Sequence, residues 1–147
     1  MAKKHYLSFL ILLGSCAENA SIQEPLEEIT IEYPSSSLIK WSNLFTQDSP
    51  DYFIYVFAYD CYYCNELKSK VISFSDSSRF PVYFCEYEKS IPIGHNIEIT
   101  VNKDKVEEVF IKGTPTLILI KDKSIAFNVA GKSEVSEMID LHLKNEL

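Results

Sequence analysis

The sequence predicts an α/β domain with a mixed central sheet of about five strands flanked by helices. Three observations carry that prediction. Apolar runs without polar alternation, at residues 52–58 and 116–120, have the composition of strands covered on both faces. An amphipathic pattern containing Leu67, Val71 and Ile72 separates the first run from a third, residues 80–85, as the crossover of a parallel pair requires. A turn at Lys121-Asp122-Lys123 then folds the chain back into residues 124–129 as a hairpin, and a last helical pattern follows Gly131.

In chain order, residues 28–33 alternate polar and apolar and predict a half-buried strand near a sheet edge. Pro34 and the serines at 35–37 end it. Leu38, Trp41, Leu44 and Phe45 then recur near helical spacing, with Trp41 as a core anchor. Asp48-Ser49-Pro50-Asp51 is a turn. A helix is expected from Cys61 to about Phe74, broken by Ser75-Asp76-Ser77-Ser78. In residues 88–100, Ile91, Ile93, Ile97 and Ile99 alternate, but Pro92 and Gly94 interrupt them. Either an added edge strand or a loop over the active site fits. Asn102 is expected to cap a helix that turns Val106, Val109 and Phe110 inward. Ser133 is expected to cap the last helix, with Val135, Met138, Ile139 and Leu143 near its buried side and His142 flanking it.

The bulk numbers fit one domain. The chain has 147 residues, 46% hydrophobic and 13% aromatic, with 4 glycines, which is a globular composition with its own core. A net charge of −7 excludes nucleic acid and an anionic lipid surface as main partners, because both would repel it. Four cysteines are too few for a disulfide-dense scaffold.

The N-terminus is an address. Lys3 and Lys4 precede the apolar run 7–13, and Gly14-Ser15-Cys16 follows. A positive start, a short apolar run and small residues predict a secretory signal at residues 1–15, too short to span a bilayer stably. Leu13-Gly14-Ser15-Cys16 also resembles the lipobox of bacterial lipoproteins. That resemblance implies cleavage before Cys16, acylation of Cys16, and stable anchoring at the extracytoplasmic face of the cell membrane. The alternative is an ordinary cleaved signal with an incidental cysteine. Cleavage removes two lysines and no acid, moving the net charge from −7 to −9. Residues 16–28 read as a lipidated start and polar tether, and residues 29–147 as the domain.

Chemistry concentrates at Cys61-Tyr62-Tyr63-Cys64. Where a strand turns into a helix, the first cysteine of a Cys-x-x-Cys pair meets unpaired N–H groups and the positive end of the macrodipole. Both lower a thiol's pKa below its free value of about 8.5. Cys61 is the candidate nucleophile, and Cys64, one turn on, the residue that resolves a mixed disulfide. Asp60 could cap the helix, although its charge disfavours a neighbouring thiolate. Tyr62 and Tyr63 add bulk at the mouth. The rival is a zinc site drawing on Cys61, Cys64, Cys85 and His95, which lacks a second closely spaced pair. Cys85 otherwise reads as a buried, inert thiol, His95 as a loop residue, and Glu86 as a solvated strand-end carboxylate. Pro115, directly before an apolar strand, suggests a cis X-Pro bond that exposes the backbone of Thr114 to an extended substrate segment.

Ile111-Lys112-Gly113-Thr114-Pro115-Thr116-Leu117 resembles the cis-proline segment of thioredoxin, and Cys61-Tyr62-Tyr63-Cys64 falls where that family's redox motif belongs. The resemblance spans about Ile29 to Leu147. The lipobox and the tyrosine-rich strand are also similar to those of Gram-positive thioredoxin-like proteins, including those labelled bacteriocin transport accessory proteins. It implies a thioredoxin fold and a thiol–disulfide oxidoreductase acting on protein cysteines. Cys61 and Cys64 would be catalytic, and Thr114, Pro115, Tyr62 and Tyr63 would bind substrate. No cofactor or metal is needed; the expected partners are protein thiols or disulfides and a redox partner protein, and the expected state is a monomer. The chain departs from the family at several points. Asp60 stands where thioredoxin has tryptophan, and Tyr55 where it has a buried aspartate. Thr114 is similar to disulfide isomerases of the periplasmic type, and the interval to Pro115 is longer, with the excess at 88–100. Another class keeps the fold without the enzyme: a binding lipoprotein whose Cys61–Cys64 disulfide is structural.

Overall fold

The computed structural model describes residues 31–145; the predicted signal, Cys16 and the tether lie outside them. Four strands form one sheet in the order β2-β1-β3-β4, from β1 (Tyr52–Phe57), β2 (Val82–Glu86), β3 (Thr116–Lys121) and β4 (Ser124–Ala130). The α-helices are α1 (Tyr62–Ser77) and α2 (Lys132–Leu143). β1 pairs parallel with β2 and antiparallel with β3, which pairs antiparallel with β4. No helix among the described residues is long and apolar enough to cross a membrane.

Every residue of β1 is buried, as its unbroken apolar run predicts. Phe53, Tyr55 and Phe57 face a cluster with Cys64, Leu67, Val71 and Phe74 of α1 and Val135 and Ile139 of α2. Both helices therefore lie on one face. Tyr52, Ile54 and Val56 face a second cluster with Trp41, Leu44, Ile91, Val109 and Ile111. Loops and single 3-10 turns cover this second face, where the sequence suggested flanking helices.

The sheet has four strands among the described residues where about five were expected. Residues 31–33 form no strand, and residues 28–30 lie outside the described part. The β2 edge is instead met by one parallel bridge, Leu38 to Phe84, with the Ile39 N–H donating to the Phe84 carbonyl at 2.8 Å. Drawing Leu38 and Ile39 into that extended contact leaves only a 3-10 turn, Trp41–Asn43, of the expected helix. Trp41 is a buried anchor as predicted.

The helix expected after Asn102 is likewise reduced, to the 3-10 turn Val106–Glu108. Asn102 has a φ of 67°, and its N–H donates to the Ile125 carbonyl at 2.8 Å. The Ile125 N–H returns a bond to the Lys103 carbonyl at 2.9 Å. Residues 102–103 thus partner β4 and cannot cap a helix. Val109 is buried, while Val106 and Phe110 are half-buried.

α2 is capped by Gly131, not Ser133. The Gly131 φ of 110° is open to glycine, and its N–H donates to the Pro115 carbonyl at 2.9 Å. The buried stripe of α2 is Val135, Ile139 and His142, at helical spacing, and leaves Leu143 45% exposed. His142 is core, not flank. It sits among the rings of Phe53, Phe74 and Phe80, with the Ser78 hydroxyl 3.3 Å from Nε2 and Nδ1 unpartnered. Burial lowers its pKa, assisted by the nearby charges of Arg79 and Lys121. The unfolded chain therefore binds the proton more readily than the folded one. Stability should hold above about pH 6.5, the unfolded value, and decline as pH falls below it. For one proton the slope is at most about 1.4 kcal/mol per pH unit. Denaturant midpoints between pH 7.5 and 5 check this, and a His142→Leu variant should lose that part of the dependence.

Candidate active site

Cys61 and Cys64 are joined by a disulfide, with Cα atoms 5.2 Å apart. β1 delivers Cys61 to the N-terminus of α1, where it is the capping residue; Asp60 is exposed and does not cap. The Cys64 N–H donates to Cys61 Sγ at 3.1 Å. That bond satisfies one of the orphan donors of the helix start with sulfur in place of oxygen. The pair is asymmetric. Cys61 is partly exposed, whereas Cys64 is fully buried on the inner side of α1. Attack from outside is therefore open at Cys61 and closed at Cys64.

The Thr114–Pro115 peptide is cis. Cys61 Sγ lies 3.5 Å from the Thr114 carbonyl oxygen, so the structure brings the dithiol motif and the cis-proline segment together across 53 residues of chain. Gly131 holds that segment through the Pro115 carbonyl, and the Thr116 hydroxyl donates to the Gly113 carbonyl at 2.6 Å. Thr114 is partly exposed and Pro115 buried. Tyr62 and Tyr63 project from the first turn of α1, 70% and 54% exposed, their rings edge-to-face at 5.4 Å. Lys132 is ion-paired to Glu66 of α1 at 2.9 Å, and that bond raises its pKa.

Tyr55, which the sequence resemblance set where thioredoxin has a buried aspartate, is fully buried in the cluster that contains Cys64. Burial pushes its phenol far above the ordinary value and pushes Tyr33 up to about 12. The two hydroxyls interact, but neither reaches hydrogen-bond geometry with any partner. Tyr33 also packs against Phe57, with ring centroids 3.9 Å apart and the planes tilted by 34°. A phenol held this far from ionisation cannot serve as a base near neutral pH. Tyr55→Phe removes a buried hydroxyl that has no partner, so it should leave stability unchanged or raise it by up to about 1 kcal/mol. It should also leave the pH profile of thiol exchange unmoved. Urea unfolding and a pH–rate profile check both.

Cys85 is buried on the opposite face of the sheet from Cys64. Its thiol is pushed up to about 12, chiefly by burial and then by Glu88 and Glu86. His95 is exposed. The four ligands of the zinc alternative therefore do not converge, and no metal-ligating cluster occurs among the described residues. Glu86 is exposed at the end of β2, beside a cavity of about 480 Å³ that Lys40 and Trp41 also line. Residues 88–100 are a loop, not an added strand of the sheet; Ile93 bridges Ile111 in parallel, at the start of the cis-proline segment.

Sequence reasoning missed two supporting residues, Gly131 and Asn128. Asn128, 5% exposed on β4, donates from its amide to Thr100 Oγ1 at 3.1 Å and to the Phe110 carbonyl at 2.9 Å. It thereby ties the 88–100 loop to the lead-in of Thr114. A lone asparagine in an otherwise apolar strand was the available signal.

No protein-family model and no curated protein sequence matches the chain. Solved structures do. Thioredoxin f2 of Chlamydomonas reinhardtii superposes with a TM-score of 0.53 at 16% identity, over 74% of this chain and 94% of that one. Spinach chloroplast thioredoxin f in its short form gives 0.48 at 15% identity, over 76% and 98%. A point mutant of thioredoxin from Halobacterium salinarum gives 0.47 at 16% identity, over 77% and 94%. The chain has the thioredoxin fold, with its Cys61–Cys64 disulfide set against Thr114 of the cis-proline segment.

Proposed function

We propose that the protein is a thiol–disulfide oxidoreductase for protein cysteines, tethered to the outer face of the cell membrane through a lipidated Cys16. The observation that carries the activity is the asymmetric disulfide: partly exposed Cys61 against the Thr114 carbonyl, Cys64 buried behind it. In the reduced form the Cys64 N–H and the start of α1 favour a thiolate on Cys61. That thiolate attacks a client disulfide, and Cys64 then attacks the mixed disulfide and releases the reduced client. Thr114, Pro115, Tyr62 and Tyr63 seat the client segment. The tether rests on Lys3, Lys4, the apolar run and the lipobox ending at Cys16.

The test is equilibration of the Cys61–Cys64 couple with glutathione, alongside reduction of insulin and oxidation of a model dithiol. A potential within reach of cellular thiol couples, with turnover in one direction, supports the reading. A couple too reducing for glutathione to open, with no turnover in either direction, overturns it and favours the structural disulfide of a binding module. Mass spectrometry of the membrane fraction of an expressing bacterium tests the anchor: a diacylglyceryl adduct on Cys16 supports it, and a free or internal Cys16 overturns it.

A further inference from the structure

Two adjoining cavities of about 280 and 190 Å³ share Lys112, Ala130 and Glu134 and form one groove running from Thr114 to Asn128. The cis-proline segment supplies Lys112, the first turn of α2 supplies Glu134, and the 88–100 loop adds His95 and Glu98. None of Glu98, Lys112 and Glu134 makes an ion pair among the described residues.

Asn128 lines the inner end. The Thr100 hydroxyl donates to the Ile97 carbonyl at 2.6 Å, so Thr100 Oγ1 and the Phe110 carbonyl both meet Asn128 as acceptors. That fixes the amide orientation: both neighbours require N–H donors, and Oδ1 is left over. Oδ1 is buried without a partner, a state that costs free energy until a donor arrives. The groove therefore offers two carboxylates against a single ammonium, with the unspent amide oxygen of Asn128 buried at its inner end, and a guanidinium or ammonium supplies the donors that it lacks.

We propose that this groove is a subsite for an arginine or lysine side chain of the client, and it rests on the oxidoreductase reading above. Thr116 lies opposite Ala130, and Asn128 is two residues further along β4. At roughly 3.3 Å per extended residue, the basic residue falls about three or four positions from the client cysteine.

The experiment uses the oxidised full-length protein and cysteine peptides with arginine, leucine or glutamate at that spacing on either side. The peptide thiolate attacks Cys61 Sγ, the Cys61–Cys64 bond breaks, and Cys64 leaves as a thiolate that takes a proton from water. The peptide sulfur is oxidised and the Cys64 sulfur reduced. Acid-quenched mass spectrometry gives the rates. The arginine peptide on one side should react about fivefold faster than the leucine peptide, with the glutamate peptide slowest. The arginine-to-leucine ratio should fall towards one in a Glu98→Gln, Glu134→Gln double variant and in high salt. Equal rates for all three peptides, or a preference that survives both changes, would overturn the subsite while leaving the oxidoreductase intact. No exchange with any peptide, while dithiothreitol still opens the disulfide, would overturn both.

Discussion

Cys64→Ser should turn the protein into a trap that holds clients as mixed disulfides through Cys61. Cys61 is partly exposed and accepts the Cys64 N–H, so it remains reachable and activated when the neighbouring sulfur is gone. What disappears is the internal nucleophile that releases the client, so turnover should drop on the order of a hundredfold or more. The reverse variant, Cys61→Ser, should trap nothing, because Cys64 is fully buried on the inner side of α1. Serine at 64 places a hydroxyl where none is satisfied, at a cost of about 1–3 kcal/mol, which a folded domain of ordinary stability survives. Non-reducing electrophoresis and intact mass after incubation with a disulfide peptide read the adduct. Alkylation of Cys61 in the Cys64→Ser variant without any adduct would sink the mechanism. So would equal alkylation of Cys64 in the Cys61→Ser variant.

The asymmetry behind that experiment was legible in the sequence because it is local. An unbroken apolar run, two cysteines three apart and an amphipathic stretch place one sulfur at a helix start and the other one turn inside. The same locality made β1, β2, the β3–β4 hairpin and the start of α1 readable, although α1 runs on through Ser75, Asp76 and Ser77, which were expected to break it, and ends only at its C-cap, Ser78. Pro115 was readable for a different reason: proline directly before an apolar strand has few places to go. What failed depended on partners far away in the chain. Asn102 looks like a helix cap until Ile125 takes its N–H, and residues 38–45 look helical until Ile39 is drawn to Phe84. His142 read as a flank of the last helix because its partners Phe53, Phe74 and Phe80 come from three other segments. Asn128 joins two loops that periodicity cannot resolve, so the groove beside Thr114 was invisible before the fold was known.

Phe53→Ala should have the largest effect on stability, about 3–5 kcal/mol. Phe53 is fully buried, and its ring lies 5.0 Å from Phe74 of α1, 4.8 Å from His142 of α2 and 6.1 Å from both Phe80 and Phe127. One side chain thus joins β1 to both helices and to two further segments, and its loss leaves a cavity with walls on different elements that cannot all close in. A domain of about 5–15 kcal/mol total stability would lose a large share of it. The chemistry should be spared: Phe53 and Phe57 are separated by roughly 13 Å of extended strand, and the disulfide lies beyond Phe57. Chemical denaturation of oxidised protein should show the lower midpoint, while exchange with a small thiol in native buffer keeps its rate. The cavity also opens beside His142, so water reaching the imidazole should restore its pKa towards the ordinary value and flatten the stability loss below about pH 6.5. An unchanged midpoint would remove Phe53 as the anchor of the helical face. A steep fall in the exchange rate of still-folded protein would show instead that this end of the core sets the geometry of the dithiol.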